Sequence, residues 1–331
     1  VYVTISNDGV PIVGNNGTPL AHLEVNIPYF DLGLYDMSDF YRYQTENGQG
    51  AYINDTIVER PTLLHLYIYM LGVYYVGCSP EDIISGAAKD SIISADGGYG
   101  VYDLTGETAY DDNMCVLNIT GSSTSMYMQQ FWGHDENLMY YRNHMYPLMS
   151  AGWGSTADYI LLSDNDTIDL AMFSNWSFWT YGAFARFDKD EYSVEAGTEL
   201  TVKTQKYDTK SVSDGGTESF TPITGLGVNV YDESMKLVGT ATPVSDSSNE
   251  YTYTFNKAGT YYILGLDPNM KTDDACYAPA NAKVVVTGGD TPVEPDYEIR
   301  TLTFEDADYK GGVNFAGKED WSSLIDDPQY G

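Results

Sequence analysis

Residues 137–173 read NLMYYRNHMYPLMSAGWGSTADYILLSDNDTIDLAMF, and the alternation within this stretch decides the fold. Asn137 to Asn143 has the period of a strand with two distinct faces, Leu138, Tyr140 and Arg142 on one and Met139 and Tyr141 on the other. Asp158 to Leu162 (DYILL) predicts a second strand and Thr167 to Phe173 a third. Between them Ser163-Asp164-Asn165-Asp166 is turn chemistry, because Asx side chains bond their own backbone and tolerate left-handed angles. Gly152-Trp153-Gly154 marks a sharp bend.

Upstream, Val1, Val3 and Ile5 share one face of a strand. Asn7-Asp8-Gly9 is a hairpin turn, and Val10 to Val13 returns. Leu23, Val25 and Ile27 alternate in a further strand that Pro28 ends. Residues 31–59 are polar and aromatic with weak periodicity and read as an insertion. Thr62 caps a predicted helix over 63–76 (LLHLYIYMLGVYYV), in which Leu64, Tyr67, Ile68, Leu71 and Tyr75 recur at helical spacing. It is apolar nearly all round and so belongs under a sheet. Ser79-Pro80-Glu81-Asp82 opens a second helix, with a serine cap, proline at the first position and acids in the first turn. Val116 to Ile119 is another strand.

Three of these runs resemble a bacterial domain of unknown function related to the C-terminal domain of transcobalamin and intrinsic factor. They are Leu138-Met139-Tyr140-Tyr141-Arg142-Asn143, the run Tyr159 to Ile168 (YILLSDNDTI), and Thr62-Leu63-Leu64. Asn165 stands where that family has its turn glycine, and Leu170 and Met172 stand where it prefers Trp or Tyr. The resemblance covers residues 1–188 and implies an α+β, β-grasp-like sheet around one helix. It also raises corrinoid (cobalamin-like) binding by this domain as one function.

Beyond Phe187 the character changes. Tyr192 to Val202 (YSVEAGTELTV) resembles the opening of bacterial immunoglobulin-like domains, and Lys257-Ala258-Gly259-Thr260-Tyr261-Tyr262 resembles one of their strand entries. Thr224 to Tyr231, Tyr251 to Phe255, Gly259 to Leu264 and Val284 to Val286 add short strands, which predicts an all-β sandwich over 189–287. Lys203 and Lys283 fall on the outward face by the period of two. Residues 288–297 form a linker, stiffened by two prolines. Residues 298–331 read as a fragment or the start of a third β-rich domain, with a strand over Ile299 to Phe304. The expectation is a modular, mostly β protein.

The chain carries 48 acidic against 16 basic residues, a net charge of −32. Phosphate backbones need a positive face, so nucleic acid is excluded as a partner, and anionic membrane surfaces for the same reason. No run reaches the ~18 apolar residues of a membrane-crossing helix, so direct membrane insertion is not expected. The 30 tyrosines suit half-buried sheets and contact surfaces, each having an apolar body and a polar tip. Of three cysteines, Cys78 and Cys115 fall in the same domain and could bridge, while Cys276 stands alone.

No motif for nucleophilic, phosphate-binding or zinc-dependent catalysis appears, so a non-enzymatic role is expected, with no catalytic residues and no resident cofactor. Trp153, Trp132, Tyr140 and Tyr141 are the candidate ligand-contacting aromatics. Asp164, Asp166 and Asp169 offer oxygen ligands at close spacing, and Asp188, Asp190 and Glu191 do so at the domain junction; calcium is the metal such sets would hold. Calcium at the junction would stiffen the hinge. The expected role is an extracellular or cell-surface module of a bacterial protein, recognising a glycan, a host or cell-surface protein, or a small ligand. A structural subunit, self-associating by strand addition through 298–331, is the alternative from another class.

Overall fold

The computed structural model describes residues 1–37, 60–93, 102–104, 117–122, 125–132, 134–135, 138–146, 156–173, 182–207, 219–269 and 277–288. Val1–Gly289 forms one compact unit; Asp290–Gly331 is a second and lies outside the described residues, together with the strand expected at Ile299 to Phe304. The first part of the chain contributes β1 (Tyr2–Asn7), β2 (Val10–Val13), β3 (Leu23–Glu24), α1 (Leu63–Met70), α2 (Pro80–Ser85), α3 (Lys89–Ile93), β4 (Tyr102–Asp103), β5 (Leu117–Ser122), β6 (Ser125–Phe131), β7 (His134–Asp135), β8 (Leu138–Arg142) and β9 (Thr167–Met172). Then follow β10 (Ala183–Phe187), β11 (Glu191–Glu195), β12 (Glu199–Tyr207), β13 (Phe220–Pro222), β14 (Gly227–Asp232), β15 (Leu237–Thr240), β16 (Thr242–Pro243), β17 (Glu250–Thr254), β18 (Gly259–Leu266), β19 (Tyr277–Ala278) and β20 (Ala280–Thr287).

The first sheet has the order β4-β2-β1-β9-β8, with β3 beside β1. β1 and β2 form the expected hairpin, and Asp8 and Gly9 both take the positive φ that a tight two-residue turn needs. β1 then runs parallel to β9, Val3 opposite Ile168 and Ile5 opposite Leu170, and β8 pairs antiparallel on the far side of β9. α1 covers one face. Leu63 to Ile68 and Met70 are all buried, as an all-round apolar helix must be. Thr62 and His65 cap it jointly. The Thr62 amide donates to His65 Nδ1, while His65 Nε2 reaches the Phe30 carbonyl at 3.0 Å. Burial lowers His65 to a pKa of about 4, so it sits neutral. The helix runs on as a π-turn over Leu71–Val76 and ends at left-handed Gly77.

The DYILL segment is not the strand its pattern predicts. Ala157–Tyr159 forms a 3-10 turn, and Leu161 makes only an isolated bridge to Thr62. Its backbone is spent on the helix entry instead: Ile160 accepts from the Leu63 amide and the Leu162 amide donates to Pro61. Of the strand expected over Leu23 to Ile27, Leu23 and Glu24 pair with β1 and Val25 exchanges backbone hydrogen bonds with Val1.

The second half is a two-sheet sandwich of immunoglobulin-like strand order. One sheet runs β16-β17-β12-β10-β19, with β13 on β12; the other runs β11-β20-β18-β14-β15. Phe187, Val202, Tyr251 and Phe255 from the first pack against Val228, Val230, Ile263, Val284 and Val286 from the second. β10 opens the sandwich upstream of residue 189, because it pairs antiparallel with β12. Lys203 is exposed beside buried Val202, as the period of two requires.

Every residue of β9 is buried, and the two faces meet different partners. Ile168, Leu170 and Met172 face the helix-side core. Ala171 joins Tyr141 and Phe173 against Phe184, Tyr207 and Ala278 of the sandwich. The first sheet is therefore covered on one side by α1 and on the other by the sandwich, and that second contact is the seam within the Val1–Gly289 unit.

Candidate functional site

Several buried polar and titratable side chains, His22, His144, Asp169 and Asn281, converge at this seam. Thr4 and Asp169 are register partners on the adjoining β1 and β9. Asn143 and His144 form a two-residue turn after β8. Both have positive φ (52° and 62°), and Arg142 and Met145 exchange backbone hydrogen bonds across it. Asn143 is locked from two sides, donating to Asp166 and accepting from the Thr167 amide. The turn thrusts His144 into the seam, where it is 3% exposed.

His144 lies between two carboxylates. Nε2 is 2.6 Å from Asp190 Oδ1, and Nδ1 is 3.3 Å from Asp169 Oδ2 in a poorly aligned contact that lies outside hydrogen-bond geometry. Burial opposes the charge on the ring, but the two carboxylates outweigh it and raise the pKa to about 9. The imidazolium holds Asp190 below the ordinary carboxylate range in turn, against the desolvation of that group, with Arg186 adding 4.0 Å away. On the other side of Asp169, its Oδ1 accepts from Asn281 Nδ2 at 2.8 Å, and Asn281 Oδ1 meets His22 Nδ1 at 2.7 Å. His22, Asp169 and Asn281 are each at most 3% exposed. A chain His22–Asn281–Asp169–His144–Asp190 thus joins both domains. The crevice beside Asp169, between Ser6 and Ala278, has no room for a water.

The sequence-predicted residues are distributed as follows. Asp169 and Asp190, one from each of the two candidate calcium sets, come together with the His144 imidazolium between them. Asp188 is turned away, its Oδ1 accepting from Tyr192 Oη and the Lys203 amide. Glu191 is exposed and 3.6 Å from Lys283. Asp166 is committed to Arg142 Nε at 2.8 Å, Asn143 Nδ2 and the Ser163 amide; Asp164 stays exposed in the turn. Asn165 takes φ +66° there, the angle a glycine would supply. Among the described residues no group of three or more acids, histidines or cysteines converges on a metal position.

Of the aromatics, Trp132 is fully buried and lies edge-on to Tyr75, so it offers no face to a ligand. Tyr141 is buried too, stacked on Phe184 across the seam at 4.0 Å. Tyr140 is partly buried near Tyr67 and Tyr146. Trp153 lies outside the described residues, as do Cys115 and Cys276. Cys78 is a free thiol, and the bridge considered to Cys115 falls outside the described residues.

Sequence reasoning missed His22, His144 and Asn281. Asn281 did carry a signal, a polar residue inside the buried run of β20. Asn143-His144 did not read as a turn because histidine rarely takes the left-handed region.

No protein-family model matches the chain, and no curated protein sequence does. Among solved structures it is similar to one on T cell specificity and activation by the bacterial superantigen toxic shock syndrome toxin-1. That match has 14% identity and a TM-score of 0.20, over 32% of this chain and all of the other. It is also similar to the ectodomain of the teleost fish polymeric Ig receptor, at 8% identity and TM-score 0.19, over 52% of this chain and 73% of the other. Likeness at this level carries no argument; the sandwich rests on its strand order.

Proposed function

We propose that this chain is the non-enzymatic recognition part of a secreted or cell-surface bacterial protein, holding a β-grasp domain and an immunoglobulin-like domain as one rigid piece for glycan, protein or small-ligand capture. The seam is the observation that carries this reading. Its buried charges neutralise one another, and the crevice beside Asp169 has no room for a water, which favours a structural use of the cluster over a catalytic one. A fixed arrangement also removes an ordering cost from binding. The β-grasp assignment is supported by the strand order: an N-terminal hairpin, a parallel pairing of β1 with the last strand, β8 outside it, and one covering helix. That is also the arrangement implied by the transcobalamin-like runs.

A glycan array with the intact chain tests this reading, using Trp153→Ala as the control. Specific binding is expected. A chain that binds no glycan, no surface protein and no small ligand, yet turns over a substrate, would refute it. Strand addition has its own support in edge strand β15, where Leu237 and Val238 are exposed, with exposed Val244 nearby. Sizing against concentration tests it, and a monomer at every concentration removes it.

A further inference from the structure

One end of the polar chain opens onto a pocket. Its volume is about 240 Å³, and it lies where the loop before β3 meets the turn between β14 and β15. The residues that matter in its lining are His22, Leu23, Glu233, Met235 and Tyr262. Small-molecule sites favour such junctions between domains.

His22 is set there with unusual constraint. Its φ is +48°, its amide donates to Thr4 Oγ1, and its ring stacks on Tyr2 at 4.9 Å. The protonation pattern of the ring follows from its neighbours. The Asp169 carboxylate only accepts, so the Asn281 amide must turn its nitrogen to Asp169 and its oxygen to His22. His22 Nδ1 therefore carries the hydrogen. Burial lowers the His22 pKa and keeps the ring neutral, which leaves Nε2 as a bare lone pair on the ring edge away from Asn281. Nε2 has no hydrogen-bond partner among the described residues, although the side chain is almost wholly buried.

The lining chemistry selects the ligand. Nε2 and the Glu233 carboxylate both accept, and no lysine or arginine lines the pocket. Lys283 acts on Tyr262 from a distance, but it is paired with Glu191. The partly buried Tyr262 ring offers a π face, and Leu23 and Met235 supply apolar wall. Two acceptors, an aromatic face and apolar sides suit a donor that is also a cation.

We propose that this pocket binds a small organic ammonium ion, its –NH₃⁺ donating to His22 Nε2 and to Glu233, its carbon body against Tyr262 and Met235. The proposal rests on the recognition reading and gives it a ligand class.

The test is calorimetric titration of the intact chain with phenethylamine, with phenethyl alcohol and phenylacetate as neutral and anionic controls. Phenethylamine is expected to bind with a Kd in the millimolar range or below, and the controls about tenfold or more weaker. His22→Asn, which tolerates the left-handed backbone and lacks Nε2, and Glu233→Gln, an exposed change that leaves the fold intact, should each weaken the amine by about tenfold. Equal binding of the alcohol, undiminished binding by Glu233→Gln, or no binding of the amine to the unsubstituted chain would each overturn the assignment. If His22→Asn does not fold, Glu233→Gln decides alone. Absent amine binding sinks only the pocket; the recognition reading falls only if the chain binds no glycan, no surface protein and no small ligand, yet turns over a substrate.

Discussion

Replacing His144 with asparagine isolates the charge at the seam. Asparagine accepts the left-handed backbone of this turn and cannot be protonated, so the fold is kept and the titration removed. In the folded chain His144 is raised from 6.5 to about 9. A raised cationic group stabilises the fold fully below its unfolded pKa and loses that contribution as pH climbs through its folded one. Asp190 is lowered, so its contribution is present above its unfolded value of 3.8 and is lost as pH falls through the folded value. Both contributions coincide between about pH 4 and 6.5. At ~1.4 kcal/mol per pH unit, the rise of His144 corresponds to roughly 3 kcal/mol between pH 6 and pH 9.5. Asp190 is half-exposed, and water screens its share, so the measurable effect is about 2–3 kcal/mol. Urea unfolding of both proteins across this range is the assay. The gap between them should be widest near pH 6 and shrink by that amount toward pH 9.5. Parallel profiles would show that folding leaves the His144 pKa unshifted and would break the account of the seam.

Four further outcomes follow from other parts of the molecule. A methyl group on Gly72 would lie 2.1 Å from Ile83 Cδ1, so Gly72→Ala should destabilise by about 1–3 kcal/mol in the same assay, through overpacking of α2 on the end of α1. Tyr67 Oη is buried without a partner, so Tyr67→Phe should be neutral or up to about 1 kcal/mol more stable. Ser79 accepts from the Asp82 amide as the cap of α2, and Ser79→Ala should cost about 1 kcal/mol, read as a lower melting temperature. Since an imidazolium bridges Asp169 and Asp190, neither calcium nor a chelator should move the melting temperature; a clear rise with calcium would restore the metal reading.

The legible parts of the fold are those in which a local pattern meets a local need. Asp8-Gly9 had to turn, Thr62 and Ser79 had to cap, and the alternations of β1, β8 and β9 had to place one face inward. DYILL failed because β-rich composition does not say whether a backbone is paired in a sheet or spent on a helix entry. The candidate site was half legible. Asp190 stood out as an acid at the junction and Asp169 as one of the close-spaced acids of a turn, but His22, His144 and Asn281 lie on separate elements, and no spacing along the chain announces that they meet.

The amino-acid order alone therefore determined the β1–β2 hairpin, the alternations of β8 and β9, the caps of α1 and α2 and the acidic character, because periodicity, capping and charge are local or additive properties. Only the tertiary structure decided that β9 is buried on both faces, that the junction is closed by an imidazolium, and that His22 keeps a free lone pair at a pocket. Those outcomes depend on desolvation and on the orientation of groups far apart in sequence, and both arise only when the two domains come into contact.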